Sequence, residues 1–274
     1  MTEYRDGFLQ ANGLRLHYVE WGSGSNPPLL LLHGFGNQAH MWDGFAATVS
    51  GRYHVYALDL RGHGDSDHAE RYGDDENLAD VKATVDQLGL TRFSLVGFSM
   101  GGGAALSFAA GAPQRIERLV LVDRPPAGGD QAGRARMANV LAQAKTSFAS
   151  RDEALAYVRL ANPKRPEELV QQSLRYAFRE QPDGSYRLKY DEKLRQRFLS
   201  SSTPTPDLWK LLDAITCPTL VVRGGNSDIL TAEVAEQMVR RLPNAKLEVV
   251  PDAGHNVAQD NPEQFNRLVD AFLP

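Results

Sequence analysis

Short apolar runs that alternate with helical stretches constrain the fold of this chain more than any other feature. Four such runs lie in the first half of the sequence, at residues 29–32, 53–58, 93–96 and 119–122. Stretches with helical spacing separate them, near residues 40–50, 74–88 and 100–111. Short buried strands that alternate with helices favour a parallel sheet whose two faces are both covered. We therefore predict an α/β fold built on a mostly parallel sheet.

The alternation stops between residues 127 and 206. This segment shows helical periodicity near 135–148 and 152–160 but no convincing buried strand, and residues 200–206 have a linker-like composition. The alternation then resumes, with strands near 219–222 and 247–250 and helices near 232–241 and 262–272. We predict a core formed by residues 1–126 and 207–274, and a helical cap formed by residues 127–206.

Charge excludes some classes of protein. The net charge is −4, so the chain has no basic footprint for nucleic acid. Residues 127–206 contain 14 Lys and Arg against 9 Asp and Glu, which gives this segment +5 and leaves −9 for the rest. The asymmetry either attracts anionic substrates or reflects ordinary solvated helix faces.

The sequence predicts a cytoplasmic protein with no membrane partner. Its longest apolar run, residues 29–32, is far too short to span a bilayer. The charged N-terminus, Met1-Thr-Glu-Tyr-Arg-Asp6, lacks the apolar centre of a signal peptide. The single cysteine, Cys217, excludes an internal disulfide and is interpreted as structural.

The candidate nucleophile is Ser99, in Gly97-Phe-Ser-Met-Gly101. This Gly-x-Ser-x-Gly pattern follows an apolar run and precedes a helix, so the serine occupies a sharp turn that exposes its hydroxyl. The backbone passes close to its neighbours at such a turn, and a Cβ at Gly97 or Gly101 would obstruct that approach.

A serine nucleophile needs a base, and the base needs a carboxylate to orient it. His255 follows the apolar run at 247–250 and is the candidate base. Asp228, in a turn-rich segment after the run at 219–222, is the candidate acid because it gives the chain order Ser, Asp, His. Asp123, just past the run at 119–122, is an alternative acid, although a structural or pocket-wall role is favoured for it.

Acyl transfer also needs hydrogen-bond donors for the oxyanion. The backbone N–H of Met100 directly follows the nucleophile, and the N–H of Phe35 lies in the glycine-rich segment after the run at 29–32. We predict that these two groups form the oxyanion hole. The neighbouring His33 is interpreted as structural, and Trp42 and Phe98 are candidate pocket residues, or else plain core.

No other motif supplies a competing chemistry. The loop at residues 59–66 lacks the Gly-Lys-Ser/Thr ending of a phosphate loop, so Asp59 and Arg61 are expected to make structural hydrogen bonds. The remaining histidines show no metal-ligand spacing, and we expect neither a metal nor a cofactor. They are His17, His40, His54, His63 and His68.

As a set, these segments resemble the α/β-hydrolase fold superfamily. The residues that carry the resemblance run in family order over nearly the whole chain, at 33–36, 59–66, 97–101, 225–228 and 254–255. The resemblance implies a mostly parallel eight-stranded sheet flanked by helices, a Ser/His/Asp triad and a helical cap over the pocket. Haloalkane dehalogenases and epoxide hydrolases of this superfamily carry aspartate at the nucleophile position, so Ser99 indicates the serine branch.

The expected function is hydrolysis of a small carboxylic ester, a lactone or a thioester through an acyl-enzyme on Ser99. Cofactor-free haloperoxidases (perhydrolases) and carbon–carbon bond hydrolases resemble this chain equally well at the serine motif, and both stay open as alternatives. A ligand receptor that keeps the triad but turns over slowly is the non-enzymatic alternative. A small ester-type molecule is the expected partner.

Overall fold

The fold is an eight-stranded sheet with helices on both faces. A computed structural model of the chain describes residues 3–161, 166–200 and 207–273. Its strands are β1 Tyr4–Ala11, β2 Leu14–Trp21, β3 Pro28–Leu32, β4 His54–Leu58, β5 Phe93–Phe98, β6 Ile116–Val122, β7 Ser147–Phe148, β8 Phe178–Glu180, β9 Tyr186–Leu188, β10 Thr219–Gly224 and β11 Ala245–Val250. Eight strands form the main sheet in the order β1-β2-β4-β3-β5-β6-β10-β11. Only β1–β2 and β2–β4 pair antiparallel, which confirms the predicted mostly parallel sheet.

Helices cover the two faces of this sheet. They are α1 Asp43–Val49, α2 Asp74–Gln87, α3 Ser99–Gly111, α4 Gln131–Gln143, α5 Arg151–Ala161, α6 Glu167–Ala177, α7 Glu192–Leu199, α8 Ala232–Arg241, α9 Val257–Asp260 and α10 Pro262–Phe272. One apolar cluster joins the sheet to α2, α3 and α8, and a second joins it to α1, α9 and α10. In the part of the chain that the structure describes, no helix is both long and apolar enough to cross a bilayer.

The apolar runs are continuous because each central strand is buried on both sides. Along β3, Leu30 and Leu32 belong to the first cluster, whereas Leu29 and Leu31 belong to the second. All four side chains are fully buried. The strand therefore contributes to both cores at once.

The sheet order brings three loops together at one edge. β5 lies between β3 and β6, with Leu32 opposite Gly97 and Phe98 opposite Val122. Because parallel strands end at the same edge, the residues that follow β3, β5 and β6 are neighbours there. This edge carries the predicted site residues.

The segment between β6 and β10 contains α4 to α7 and a small antiparallel sheet in the order β7-β9-β8. The helix predicted over 135–148 lies earlier in the chain, because α4 spans Gln131–Gln143. It begins there because the Asp130 carboxylate caps it by accepting hydrogen bonds from the Ala132 and Gly133 N–H groups. The three short strands were not predicted, since strands of two or three residues leave no periodic pattern. Most of the predicted linker at 200–206 lies outside the described residues.

This inserted segment contacts the core near the ends of β3 and β4. The Tyr176 ring of α6 stacks on His40 at a centroid distance of 3.5 Å, and the Gln172 amide donates to the Asp43 carboxylate at 2.5 Å. The Lys189 ammonium lies 2.7 Å from the Asp65 carboxylate. These contacts attach the segment to loops at the edge that carries the predicted site.

Candidate active site

Ser99 occupies a strained turn between β5 and α3. Its φ angle is +48°, a left-handed conformation that is unfavourable for residues other than glycine. A Cβ on Gly97 would lie 2.7 Å from the Ala105 side chain, and one on Gly101 would lie 2.6 Å from the His33 carbonyl oxygen. The turn therefore requires both glycines, as the sequence pattern predicts.

His255 lies directly beside this serine. Its Nε2 atom is 3.0 Å from the Ser99 Oγ atom, across 156 positions of the sequence. The imidazole packs against the Phe98 ring at a centroid distance of 5.0 Å and is 10% exposed. The structure thus brings the predicted nucleophile and the predicted base within hydrogen-bond distance.

Asp123 is the carboxylate that faces the other side of the imidazole. Its Oδ1 atom lies 3.3 Å from His255 Nδ1 and accepts a hydrogen bond from the Ser227 hydroxyl at 2.7 Å. Its Oδ2 atom accepts the Gly224 N–H at 3.0 Å. The side chain is fully buried, so these contacts fix the carboxylate in place.

Asp228 is placed differently from the sequence-based expectation. Its two carboxylate oxygens accept hydrogen bonds from Arg136 of α4, at 2.5 and 2.7 Å, and none from His255. The hydrogen bond and positive charge of Arg136 hold the pKa of Asp228 below its usual value, and the charge of His255 adds to this effect. Asp228 therefore lies near the imidazole, but its carboxylate is paired with the inserted segment.

The two predicted oxyanion donors lie at the same edge. Met100 belongs to the first turn of α3, where backbone N–H groups have no acceptor within the helix. The Phe35 N–H likewise has no acceptor in the described ranges of the chain. The loop that carries Phe35 adjoins the nucleophile, because a Cβ on Gly34 would lie 3.1 Å from the Ser99 Cβ.

His33 has the structural role that was predicted for it. Its Nδ1–H donates to the Gly34 carbonyl at 2.8 Å, and its Nε2 accepts the Leu60 N–H at 3.0 Å. Complete burial lowers the pKa of His33 and keeps the ring neutral. The ring thus joins the loop after β3 to the loop after β4.

The loop after β4 is also held by structural hydrogen bonds, as predicted. Asp59 lies 2.7 Å from His17 Nδ1 and accepts the Ala39 and Asp65 N–H groups at 2.6 and 2.9 Å. Potential metal-ligand atoms of His17, Asp59 and Asp65 lie within 4.8 Å of one another. The His17 and Asp59 side chains are already engaged in the hydrogen bonds just described. The buried Arg61 guanidinium donates two hydrogen bonds to the Asp80 carboxylate of α2, at 2.6 and 2.7 Å. These bonds hold the loop against α2.

Aromatic side chains divide between core and site. Trp42 is fully buried and packs against Phe265, so it is a core residue and not the pocket residue that was considered. Phe98 is buried against His255. The Phe35 ring faces Tyr190 at 5.6 Å and Phe198 at 6.1 Å, both from the inserted segment, and the sequence offered no signal for these two.

Comparisons with known proteins extend over nearly the whole chain. A family model described as the alpha/beta hydrolase fold matches residues 27–262. A pimeloyl-[acyl-carrier protein] methyl ester esterase of Nitrosomonas europaea is 30% identical over 259 residues, covering 91% of this chain and 97% of that protein. A 2-hydroxy-6-oxononadienedioate/2-hydroxy-6-oxononatrienedioate hydrolase of Burkholderia vietnamiensis is 31% identical over 271 residues, covering 95% and 91%. The crystal structure of an alpha/beta hydrolase from Novosphingobium aromaticivorans superposes with a TM-score of 0.86 at 31% identity, covering 100% of this chain and 99% of that one.

Proposed function

This chain is a hydrolase that belongs to the α/β-hydrolase fold family, and we propose that it cleaves small carboxylic esters through an acyl-enzyme on Ser99. The observation that carries the proposal is the 3.0 Å contact between Ser99 Oγ and His255 Nε2 at a strained strand-to-helix turn. A serine hydroxyl is a weak nucleophile until a base accepts its proton, and this geometry supplies that base. The similarity to a methyl ester esterase supports ester as the substrate class.

In the proposed reaction, Ser99 Oγ attacks the acyl carbonyl while His255 Nε2 accepts the hydroxyl proton. The N–H groups of Met100 and Phe35 stabilise the oxyanion, and being part of a fixed backbone they need no rearrangement as charge develops. The Nε2–H then protonates the leaving alcohol. The same nitrogen activates the water that hydrolyses the acyl-enzyme.

We assign the orienting carboxylate of this reaction to Asp123. It is buried and faces His255 Nδ1 at 3.3 Å, where it stabilises the imidazolium that forms when the serine proton is transferred. Asp228, the carboxylate favoured by chain order, is 38% exposed and paired with Arg136, so it is the less suitable partner in this arrangement.

The direct test is hydrolysis of 4-nitrophenyl esters of increasing acyl length by the wild type and by Ser99→Ala. Loss of the nucleophile should lower kcat by at least about 10³-fold, since catalysis without it depends on the oxyanion hole and binding alone. A fluorophosphonate should label Ser99 in the wild type. Equal turnover by a folded Ser99→Ala protein, or a label on another residue, would remove the proposal.

Carbon–carbon bond hydrolysis is a second candidate because of the similarity to the oxononadienedioate hydrolase. The same serine, histidine and oxyanion donors would then act on a vinylogous diketone. Cleavage of such a diketone with a kcat/KM well above that of every ester in the panel would favour this reaction over ester hydrolysis.

A further inference from the structure

Arg124 is half-buried as a residue, and no described residue accepts a hydrogen bond from its two buried guanidinium nitrogens. Its Nε and Nη2 atoms are buried, and neither has a partner within residues 3–161, 166–200 and 207–273. Arg195 shows the more usual arrangement: its Nε is also unpaired, but its other two nitrogens donate to backbone carbonyls at 3.0 and 2.9 Å. Buried polar groups are normally hydrogen-bonded, so the unpaired guanidinium of Arg124 calls for a ligand.

Two glycines of α3 leave the space in which this side chain lies. A Cβ on Gly102 would be 2.8 Å from the Arg124 Cβ, and one on Gly103 would be 2.9 Å from Nη2. These glycines come one helical turn after Ser99. The guanidinium therefore lies along the beginning of α3, where the helix dipole adds positive potential.

Arg124 is also close to the nucleophile in the sheet. Phe98 pairs with Val122, so Ser99 and Asp123 are the first residues after two neighbouring strands, and Arg124 follows Asp123. Neighbouring strands lie about 4.8 Å apart, which puts the Arg124 backbone within about two strand spacings of Ser99.

The charge of Arg124 is only weakly compensated within the protein. Burial lowers the pKa of Arg124, and the Asp74 carboxylate opposes this effect from a distance greater than 4.0 Å. A guanidinium nevertheless stays protonated at physiological pH, and a buried charge without a partner destabilises the folded protein. A carboxylate matches the planar group with two parallel hydrogen bonds.

We propose that Arg124 binds a carboxylate of the substrate, so that the preferred substrates are esters carrying a second, free carboxylate. The proposal rests on ester hydrolysis at Ser99. Residues 127–206 carry a positive balance of charge, and the described part of this segment contacts loops at the same edge of the sheet, which favours approach of such anions.

The kinetic test compares monomethyl adipate with methyl hexanoate, which has the same acyl length but no carboxylate. We expect the wild type to prefer the monoester of the diacid. Arg124→Gln should raise KM for monomethyl adipate by about 10- to 100-fold and change methyl hexanoate hydrolysis by less than about threefold, and Arg124→Lys should retain part of the preference. Equal losses on the two esters would overturn the proposal.

A binding test separates this proposal from the reaction itself. Adipate should bind folded Ser99→Ala and should bind Ser99→Ala/Arg124→Gln at least about tenfold more weakly, as measured by calorimetry. Asp74→Asn should tighten adipate binding by about two- to fivefold, because it removes the carboxylate that partly neutralises Arg124. If adipate binds in this way while no ester is hydrolysed, the reaction assignment fails and the carboxylate site stands. Adipate that binds both Ser99 variants equally, or not at all, overturns the site.

Discussion

Two carboxylates interact with the His255 imidazole, Asp123 by direct contact and Asp228 through charge alone, and they differ in their other partners. Asp123 is buried and hydrogen-bonded to the core, whereas Asp228 is half-exposed and paired with Arg136. We expect Asp123→Asn to lower kcat by about 10²- to 10⁴-fold, because the amide favours the wrong imidazole tautomer. Asp228→Asn should change kcat by less than about fivefold, since its carboxylate is not bonded to the imidazole.

Ester hydrolysis by the two variants, with thermal unfolding as a control for folding, measures this difference. A larger loss in Asp228→Asn than in Asp123→Asn would reassign the acid. It would also mean that the contact between Arg136 and Asp228 opens during turnover.

A second single-residue effect concerns stability in acid. His63 is fully buried, and burial, which disfavours the charged imidazolium, is the main reason that its pKa is lowered to about 3. The unfolded chain binds a proton at this side chain near pH 6.5 and the folded chain does not, so stability falls as pH decreases from about 6.5 towards 3. One such group contributes a slope of up to about 1.4 kcal/mol per pH unit in that window.

Replacing this imidazole should make the protein less sensitive to acid. In urea unfolding between pH 6 and 4, His63→Gln should show a smaller decrease in the free energy of unfolding than the wild type, by about 1 kcal/mol per pH unit. The exposed His68 provides the matched control, and His68→Gln should follow the wild type. A His63→Gln slope equal to that of the wild type would contradict the assignment of a neutral buried ring.

Helix α4 is packed unusually closely against the loop that carries Asp228. A Cβ on Gly133 would lie 2.0 Å from the Asp228 carbonyl oxygen, whereas one on Gly111 of α3 would meet no atom within 4 Å. Gly→Ala in a helix normally stabilises a protein by about 0.5–1 kcal/mol. We therefore expect Gly111→Ala to raise Tm. Gly133→Ala should lower Tm, with a loss of about 1–3 kcal/mol in the free energy of unfolding. A Gly133→Ala protein as stable as Gly111→Ala would show that α4 is not held against this loop.

The contact between α4 and this loop also shows what the sequence could and could not predict. The core strands and helices were predictable because local apolar periodicity and burial coincide, as in β3 and α2. Ser99 was predictable because it directly follows the buried strand β5, and His255 because its loop follows the apolar run that forms the end of β11. The pairing of Arg136 with Asp228 joins residues 92 positions apart, and no local pattern encodes it. The choice between the two carboxylates therefore needed the three-dimensional structure.

The distribution of charge over the whole molecule predicts a salt effect. Residues 127–206 carry +5 and the remaining residues −9, although the net charge is only −4. Salt reduces the Debye length from about 30 Å at 0.01 M to about 3 Å at 1 M, which screens long-range attraction of an anion. We expect kcat/KM for monomethyl adipate to fall with added NaCl while that for methyl hexanoate stays nearly constant. The same salt dependence for both esters would indicate that the positive segment does not guide substrate.

Phe35 divides its contributions between its main chain and its side chain. Its N–H is a proposed oxyanion donor, whereas its ring meets Tyr190 and Phe198 of the inserted segment. A directed-evolution library at position 35 would therefore change this contact between the core and the inserted segment without removing the amide hydrogen. Proline is the exception among the twenty amino acids, since it lacks that hydrogen, and it would serve as an internal knockout within the same library.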